Sequence, residues 1–362
     1  MRLLRPDRWV VIREGRHARW GGELRRRNLF SALAARTDAT VVERWTNATL
    51  VAATRGPRWK GFVQPIVGRA HLASSEQLPE SMVPLARRFA DPVAVGIYDD
   101  SIAQLQALGI VLEPARIDLL RRKRDLNEAL FRWHVVPTAS FAALTGLDPG
   151  RVIVGGNATN AAHVRPGPWP SSPAIGLVSG AAPGRGIEAL IAAAGLVRES
   201  FPDVRLLLWL VATSPESEAY LEGLRVVAAD QPWIEIGTVD YDHLGSELAR
   251  ATVMCISHPA SDYMDVALPV KLFDSMAAGR PLVVTPRTET AAIVERHGVG
   301  IVTAGDRPDD LAAGLIRILG DEALARRLGA AARTTAETEF DWPIVAGRVA
   351  DEVFRREGIR NR

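Results

Sequence analysis

The sequence predicts an α/β protein of two doubly wound domains, on three observations. Its 362 residues exceed one ordinary domain and leave each of two enough chain to bury a core. Short apolar runs alternate with helical stretches through the whole second half, the pattern of parallel strands joined by crossover helices. Between the halves stands Pro166-Gly167-Pro168-Trp169-Pro170, whose three prolines can continue neither a helix nor a central strand. The expected division is therefore 1–165, 171–340 and a terminal segment 341–362.

In the first domain Trp9-Val10-Val11-Ile12 reads as a strand, followed by a polar loop, the pair Gly21-Gly22 and a helix from Glu23 to Arg36. Ala39 to Trp45 and Val93 to Tyr98 read as further strands, the latter ending in Asp99-Asp100. Residues 46–80 mix Pro, Gly, Trp and polar side chains without a period and receive no assignment. In the second domain the strands are Ala174 to Ser179, Arg205 to Val211, Ile234 to Gly237, Val253 to Ser257, Pro281 to Thr285 and Gly300 to Thr303. Helical patterns separate them at Ile187 to Ser200, Ser217 to Ala229, His243 to Ala249, Lys271 to Ala278, Glu289 to Arg296 and Pro308 to Leu319. Beyond Leu319 the chain reads as helix with a break at Asp341-Trp342-Pro343, and a last helix, Val345 to Arg356, is placed to cross back onto the first domain.

Composition narrows the class. With 47% hydrophobic and 24% charged residues the chain is that of a globular enzyme. The longest apolar run, Leu206 to Ala212, is far short of the roughly 18 residues that span a bilayer, so neither a membrane span nor a signal peptide is expected. The single cysteine, Cys255, lies in the apolar run Val253-Met254-Cys255-Ile256 and reads as a buried core thiol, which suits a reducing, cytoplasmic setting. The seven histidines, among them His134 and His258, show no metal-ligand spacing, so no metal site is expected and they read as surface or structural. Charge is divided: the first 150 residues carry 23 basic and 15 acidic side chains, the remainder 21 and 27, a net +8 against −6. The basic half fits contact with a phosphorylated acceptor or the anionic inner face of a membrane, and equally a solvated arginine surface; no nucleic-acid partner is expected.

Ligands of open α/β sheets bind at the carboxyl ends of the strands, so the loops there hold the chemistry. Ser179-Gly180-Ala181-Ala182-Pro183-Gly184-Arg185-Gly186 leaves a strand and enters a helix; Gly180 and Gly184 allow close backbone approach, the helix start favours an anion and Arg185 offers a fork for phosphate. In Asp265-Val266-Ala267-Leu268-Pro269-Val270-Lys271-Leu272-Phe273-Asp274 a proline precedes a helix with Lys271 in its first turn, where a cation opposes the helix dipole unless an anion sits against it. Asp274, three residues on, is placed either for sugar hydroxyls or to pair with Lys271. Gly21-Gly22 forms a third anion-friendly helix start. No G-x-G-x-x-G follows the first strand, which disfavours a dinucleotide cofactor.

These segments resemble, in order, the GT-B glycosyltransferases of the family 4 type. Leu268 to Asp274 with Met276-Ala277-Ala278-Gly279-Arg280-Pro281 resembles the donor-site signature, Arg151 to Asn160 the segment that ends the first domain, and Gly184-Arg185-Gly186 the phosphate loop with arginine for lysine. Ile236-Gly237-Thr238-Val239 resembles the strand and turn that hold the base, and Phe340-Asp341-Trp342 the start of the last helix. The resemblance implies two Rossmann-like domains facing a cleft, and transfer of a sugar from a nucleotide-diphosphate donor, UDP type, to a carbohydrate, lipid-linked or small-molecule hydroxyl acceptor, with retention, without metal or cofactor, in polysaccharide or glycolipid synthesis. It gives Asp274 the ribose hydroxyls and places Lys271, Arg185 and Gly22 beside the diphosphate. The family's first acid, eight residues before Asp274, is Val266 here, with Asp265 as the nearest carboxylate, and a common arginine before the phosphate loop is Ala181. Arg185 and Lys271 would then stabilise the leaving diphosphate, and Asp99 or Asp100 orient or deprotonate the acceptor. A non-catalytic nucleotide-sugar binder and a GT-B-type epimerase are the alternatives.

Overall fold

The structure is a computed structural model and describes residues 9–12, 21–37, 39–42, 70–74, 90–97 and 101–358. The chain forms two compact units, Met1–Ala103 with Leu112–Gly156 and Trp342–Arg362, and Gln104–Val111 with Asn157–Asp341.

The first unit carries β1 (Trp9–Ile12), α1 (Gly21–Ala35), β2 (Ala39–Val42), β3 (Ala70–Ser74) and β4 (Ala90–Ile97). After α2 (Ser101–Ala107) come α3 (Pro114–Leu130), β5 (Trp133–Val136), α4 (Ala139–Thr145) and β6 (Val152–Val154). The strands pair in parallel in the order β2-β1-β3-β4-β5-β6. Strand β3 lies in the stretch that has no readable period, because Ala70-His71-Leu72-Ala73-Ser74 offers little apolar bulk. It is a strand by pairing with β1 and β4, and Ala73 and Ser74 are fully buried there.

The chain returns to this unit at its end as α13 (Trp342–Glu357), which starts at Trp342 rather than Val345, because Pro343 is tolerated in a first turn. It packs along α1, where Arg36 donates from Nη1 to the Gly347 carbonyl at 2.9 Å and pairs with Asp351. At its far end the buried Glu357 accepts from Trp133 Nε1 at 2.7 Å.

The second unit carries β7 (Ala174–Gly180), α5 (Ile187–Ser200), β8 (Arg205–Val211), α6 (Pro215–Ala228), β9 (Ile234–Gly237) and α7 (Leu244–Leu248). It continues with β10 (Val253–Ile256), α8 (Asp262–Val266), α9 (Val270–Ala277), β11 (Leu282–Val284), α10 (Thr288–His297), β12 (Gly300–Val302), α11 (Pro308–Leu319) and α12 (Glu322–Glu339). All six strands are parallel, in the order β12-β11-β10-β7-β8-β9. Alternation along β8 feeds two cores: Leu206, Leu208 and Leu210 meet α5 and α11 on one face, while Leu207 and Trp209 join Leu272, Phe273 and Met276 of α9 on the other.

The units divide after Gly156, earlier than the proline-rich stretch. Residues 157–164 are tied into the second unit by Ala161 N donating to Asp341 and by Arg333 donating to the Ala161 and Val164 carbonyls. Pro166 to Pro170 then forms a loop around the buried Arg280, which donates to the Gly167 and Pro168 carbonyls and lies over the Trp169 ring.

Candidate functional site

In the order β12-β11-β10-β7-β8-β9 the winding reverses between β7 and β10, so the crevice outside the carboxyl ends of these two strands is where a ligand is expected. Both loops that leave them are pinned by glycine. After β7 the chain turns through Pro183–Arg185 into α5, and Gly186 adopts φ +68° against the loop after β10: a Cβ on it would lie 1.8 Å from the Ser257 carbonyl oxygen. Ser257 Oγ in turn donates to the Arg185 carbonyl at 3.3 Å. Gly184 is equally close-packed, with the Ala107 carbonyl 1.9 Å from where its Cβ would stand, whereas Gly180 is exposed and meets nothing nearer than 4.0 Å. Of the two loop glycines singled out in the sequence, Gly184 serves chain packing and Gly180 leaves open space.

Basic groups converge on this point. Lys271 projects from the first turn of α9 to Ser179 at the end of β7, with Nζ donating to Oγ at 3.3 Å. Burial, and then the Arg185 guanidinium, hold its ammonium well below the usual lysine range, with Cys255 opposing. Burial likewise lowers Arg185, whose Nε is buried without a partner. His258, just beyond β10, is 1% exposed and has no partner at either ring nitrogen; burial first, then Lys271, Arg185 and Arg287, hold it well below the usual histidine range. Arg287, at the N-cap of α10, pairs through Nη1 with Asp265 of α8 at 3.2 Å. Among the described residues, that is the carboxylate paired within this group. A buried collection of cations with so little compensation is unfavourable alone and suited to an anion.

Lys271 and Asp274 do not pair with each other. Asp274 accepts from Thr159 Oγ1 at 2.8 Å, and burial raises its carboxyl to about 7 against the opposing effect of that hydrogen bond. Leu268 is buried, and its carbonyl accepts from the Asn157 side chain; Pro269 caps α9; Val266 ends α8; Val239 is half-buried against the second core. Cys255 is buried in β10 and its thiol is pushed up to about 12 by burial, as a core position requires. Gly21 and Gly22 are the first two residues of α1 rather than a turn before it, in the first unit, and Asp99 and Asp100 lie outside the described residues. His258 and Arg287 were passed over in the sequence, where no glycine or spacing marks them. Their position directly after β10 and β11 was the readable signal.

The sequence profile described as Glycosyl transferases group 1 matches residues 172–321. A GDP-mannose-dependent monoacylated alpha-(1-6)-phosphatidylinositol monomannoside mannosyltransferase from Corynebacterium glutamicum is 28% identical over 190 residues, 50% of this chain and 47% of that protein. A phosphatidyl-myo-inositol mannosyltransferase from Mycolicibacterium smegmatis is 29% identical over 170 residues, 46% of this chain and 41% of that one. The chain thus spans less than half the length of these curated relatives. Over nearly all its length it shares its fold with Anabaena HepE in complex with UDP-glucose, at TM-score 0.69, 14% identity and coverage of 96% and 99%. The sucrose-phosphate synthase of Thermosynechococcus elongatus is similar at TM-score 0.64 and 15% identity, covering 98% of this chain and 99% of that one. Residues 172–321 thus match the group 1 glycosyltransferase profile, and the chain shares the two-domain, Rossmann-like GT-B fold of these structures.

Proposed function

We propose that the protein transfers a hexose, with retention, from a nucleoside-diphosphate sugar to a hydroxyl of a carbohydrate or lipid-linked acceptor. The observation that carries this reading is the meeting of Arg185 and Lys271, neither bound to a carboxylate among the described residues, at the β7–β10 switch point. Cations already in place stabilise the charge that develops on the departing diphosphate without reorganising, which is how such a site lowers the barrier. Asp274 takes the ribose hydroxyls in this scheme, and Asp99 or Asp100 the acceptor. The names of the relatives favour a GDP-mannose donor and a phosphatidylinositol-type acceptor, while HepE was bound to UDP-glucose, so the base is to be read from a panel.

The panel is UDP, GDP, dTDP and ADP, each beside its nucleoside, titrated into wild type and Lys271→Ala. Loss of a charge-assisted phosphate contact worth about 1.5–3 kcal/mol should weaken the diphosphate on the order of 10- to 100-fold and leave the nucleoside unchanged. Equal losses for both refute the placement of Lys271. A non-catalytic sugar-nucleotide binder is the second reading. It is favoured by Val266 at the place of the family's first acid and by the engagement of Asp265 with Arg287. Release of free nucleotide from the bound sugar donor on adding acceptor decides for transfer.

A further inference from the structure

His258 has no task in the donor reading, and its surroundings assign it one. Its ring is 1% exposed with both nitrogens unpartnered, an unfavourable arrangement, since each nitrogen has exchanged water for nothing. The backbone holds the ring at the switch point from two sides. Thr285 Oγ1 donates to the His258 carbonyl at 2.7 Å, and the preceding Ser257 donates to the Arg185 carbonyl. The charges that act on the ring are Lys271 of α9, Arg185 of the turn before α5 and Arg287 at the start of α10. Asp265 of α8 is bound to Arg287, Tyr263 acts on Arg185, and Cys255, three residues back on β10, is a neutral thiol.

We propose that His258 is a phosphate ligand of the donor site, and that a nucleoside diphosphate binds there together with a proton that charges the imidazole. This rests on the donor reading and names a residue and a linkage beyond it. In the protein by itself, burial and three cations keep the ring neutral, so it adds no repulsion to an already positive site. A diphosphate reverses the local field. The proton comes from solvent to the ring nitrogen that lacks one, both N–H groups become donors, and no bond of the nucleotide forms or breaks. Lys271 is also held low, by burial and by Arg185, so the contribution of His258 has to be obtained by difference.

Calorimetric titration of UDP and GDP into the full chain near pH 7, in two buffers of different ionisation heat, counts protons taken up on binding. For His258→Leu the expected result is a count lower than wild type by about half a proton or more, with diphosphate affinity down about tenfold or more and uridine or guanosine affinity unchanged. The melting temperature of His258→Leu should stay level or rise, because an apolar side chain suits a place that offers no partners. His258→Gln, which keeps one donor, should lose the same proton with a smaller fall in affinity, and it supplies the comparison if the leucine variant does not fold. A proton count equal to wild type in a folded variant, or diphosphate and nucleoside affinities falling together, overturns the role of His258 alone. A wild type that binds neither UDP nor GDP overturns the donor reading and this proposal with it.

Discussion

Asp274 shows how a residue chosen by motif acquires its properties from packing. On α9 it is one turn from Lys271, yet the two side chains have separate partners, Thr159 for the acid and Ser179 for the base. Burial raises the carboxyl from its ordinary value of 3.8 to about 7. A folded-state value above the unfolded one means that the protonated form is favoured on folding. Its contribution to stability is therefore full below about pH 4 and is lost as pH rises to about 7, by up to about 4 kcal/mol. Asp274→Asn should remove this slope, so the melting temperature of wild type should fall more between pH 4 and 8 than that of the variant. The same variant tests ribose recognition: it should bind a 2′,3′-dideoxy nucleotide about as well as wild type does. A much weaker grip on that analogue would show that Asp274 does not serve the ribose.

At the scale of elements, the turn between β7 and α5 is set by close approach rather than by openness to a ligand. Gly186 combines φ +68° with a Cβ position 1.8 Å from the Ser257 carbonyl oxygen. Gly186→Ala adds strain of about 1–3 kcal/mol and also pushes the turn off the end of β10, carrying Arg185 with it. Both the melting temperature and UDP or GDP affinity should fall. Gly180→Ala, built into open space, should leave the melting temperature where it is. Thermal unfolding of the two variants side by side checks the assignment, and equal destabilisation would contradict it. Legibility also differed by element. The run Leu206 to Val211 is apolar on both faces because helices cover both, so β8 was readable to the residue. In the first unit β3 was not, since its place depends on partners far along the chain.

Over the whole molecule, the +8 charge of the first 150 residues raises the question of what surface this half meets. The run Arg121-Arg122-Lys123-Arg124 lies on α3, with Arg121 and Arg122 exposed, and Leu119 on the same helix is 52% exposed. Asp118 and Asp125 lie beside Arg121 and Arg124 and offset part of the charge. No helix among the described residues is long and apolar enough to cross a membrane. We propose peripheral binding to anionic lipid at the inner membrane face, where each nearby cation contributes about 1 kcal/mol within a Debye length. Cosedimentation with phosphatidylserine vesicles should be strong at low salt, fall steeply as salt is raised, and be lost when residues 121–124 are neutralised. Protein left in the supernatant at low salt would return the arginine face to a solvated role. By itself the sequence determined the fold class and the strand and helix order of the second unit, and it singled out Arg185 and Lys271 at strand ends. These are carried by local periodicity and by residue types at strand ends, which act over a few residues. Only the tertiary structure decided that Asn157 to Val164 joins the second unit, that Asp265 belongs to Arg287, and that His258 stands unpartnered between three cations. Each of these depends on side chains brought together from distant strands, and burial, which sets their protonation, exists only once the sheet has formed.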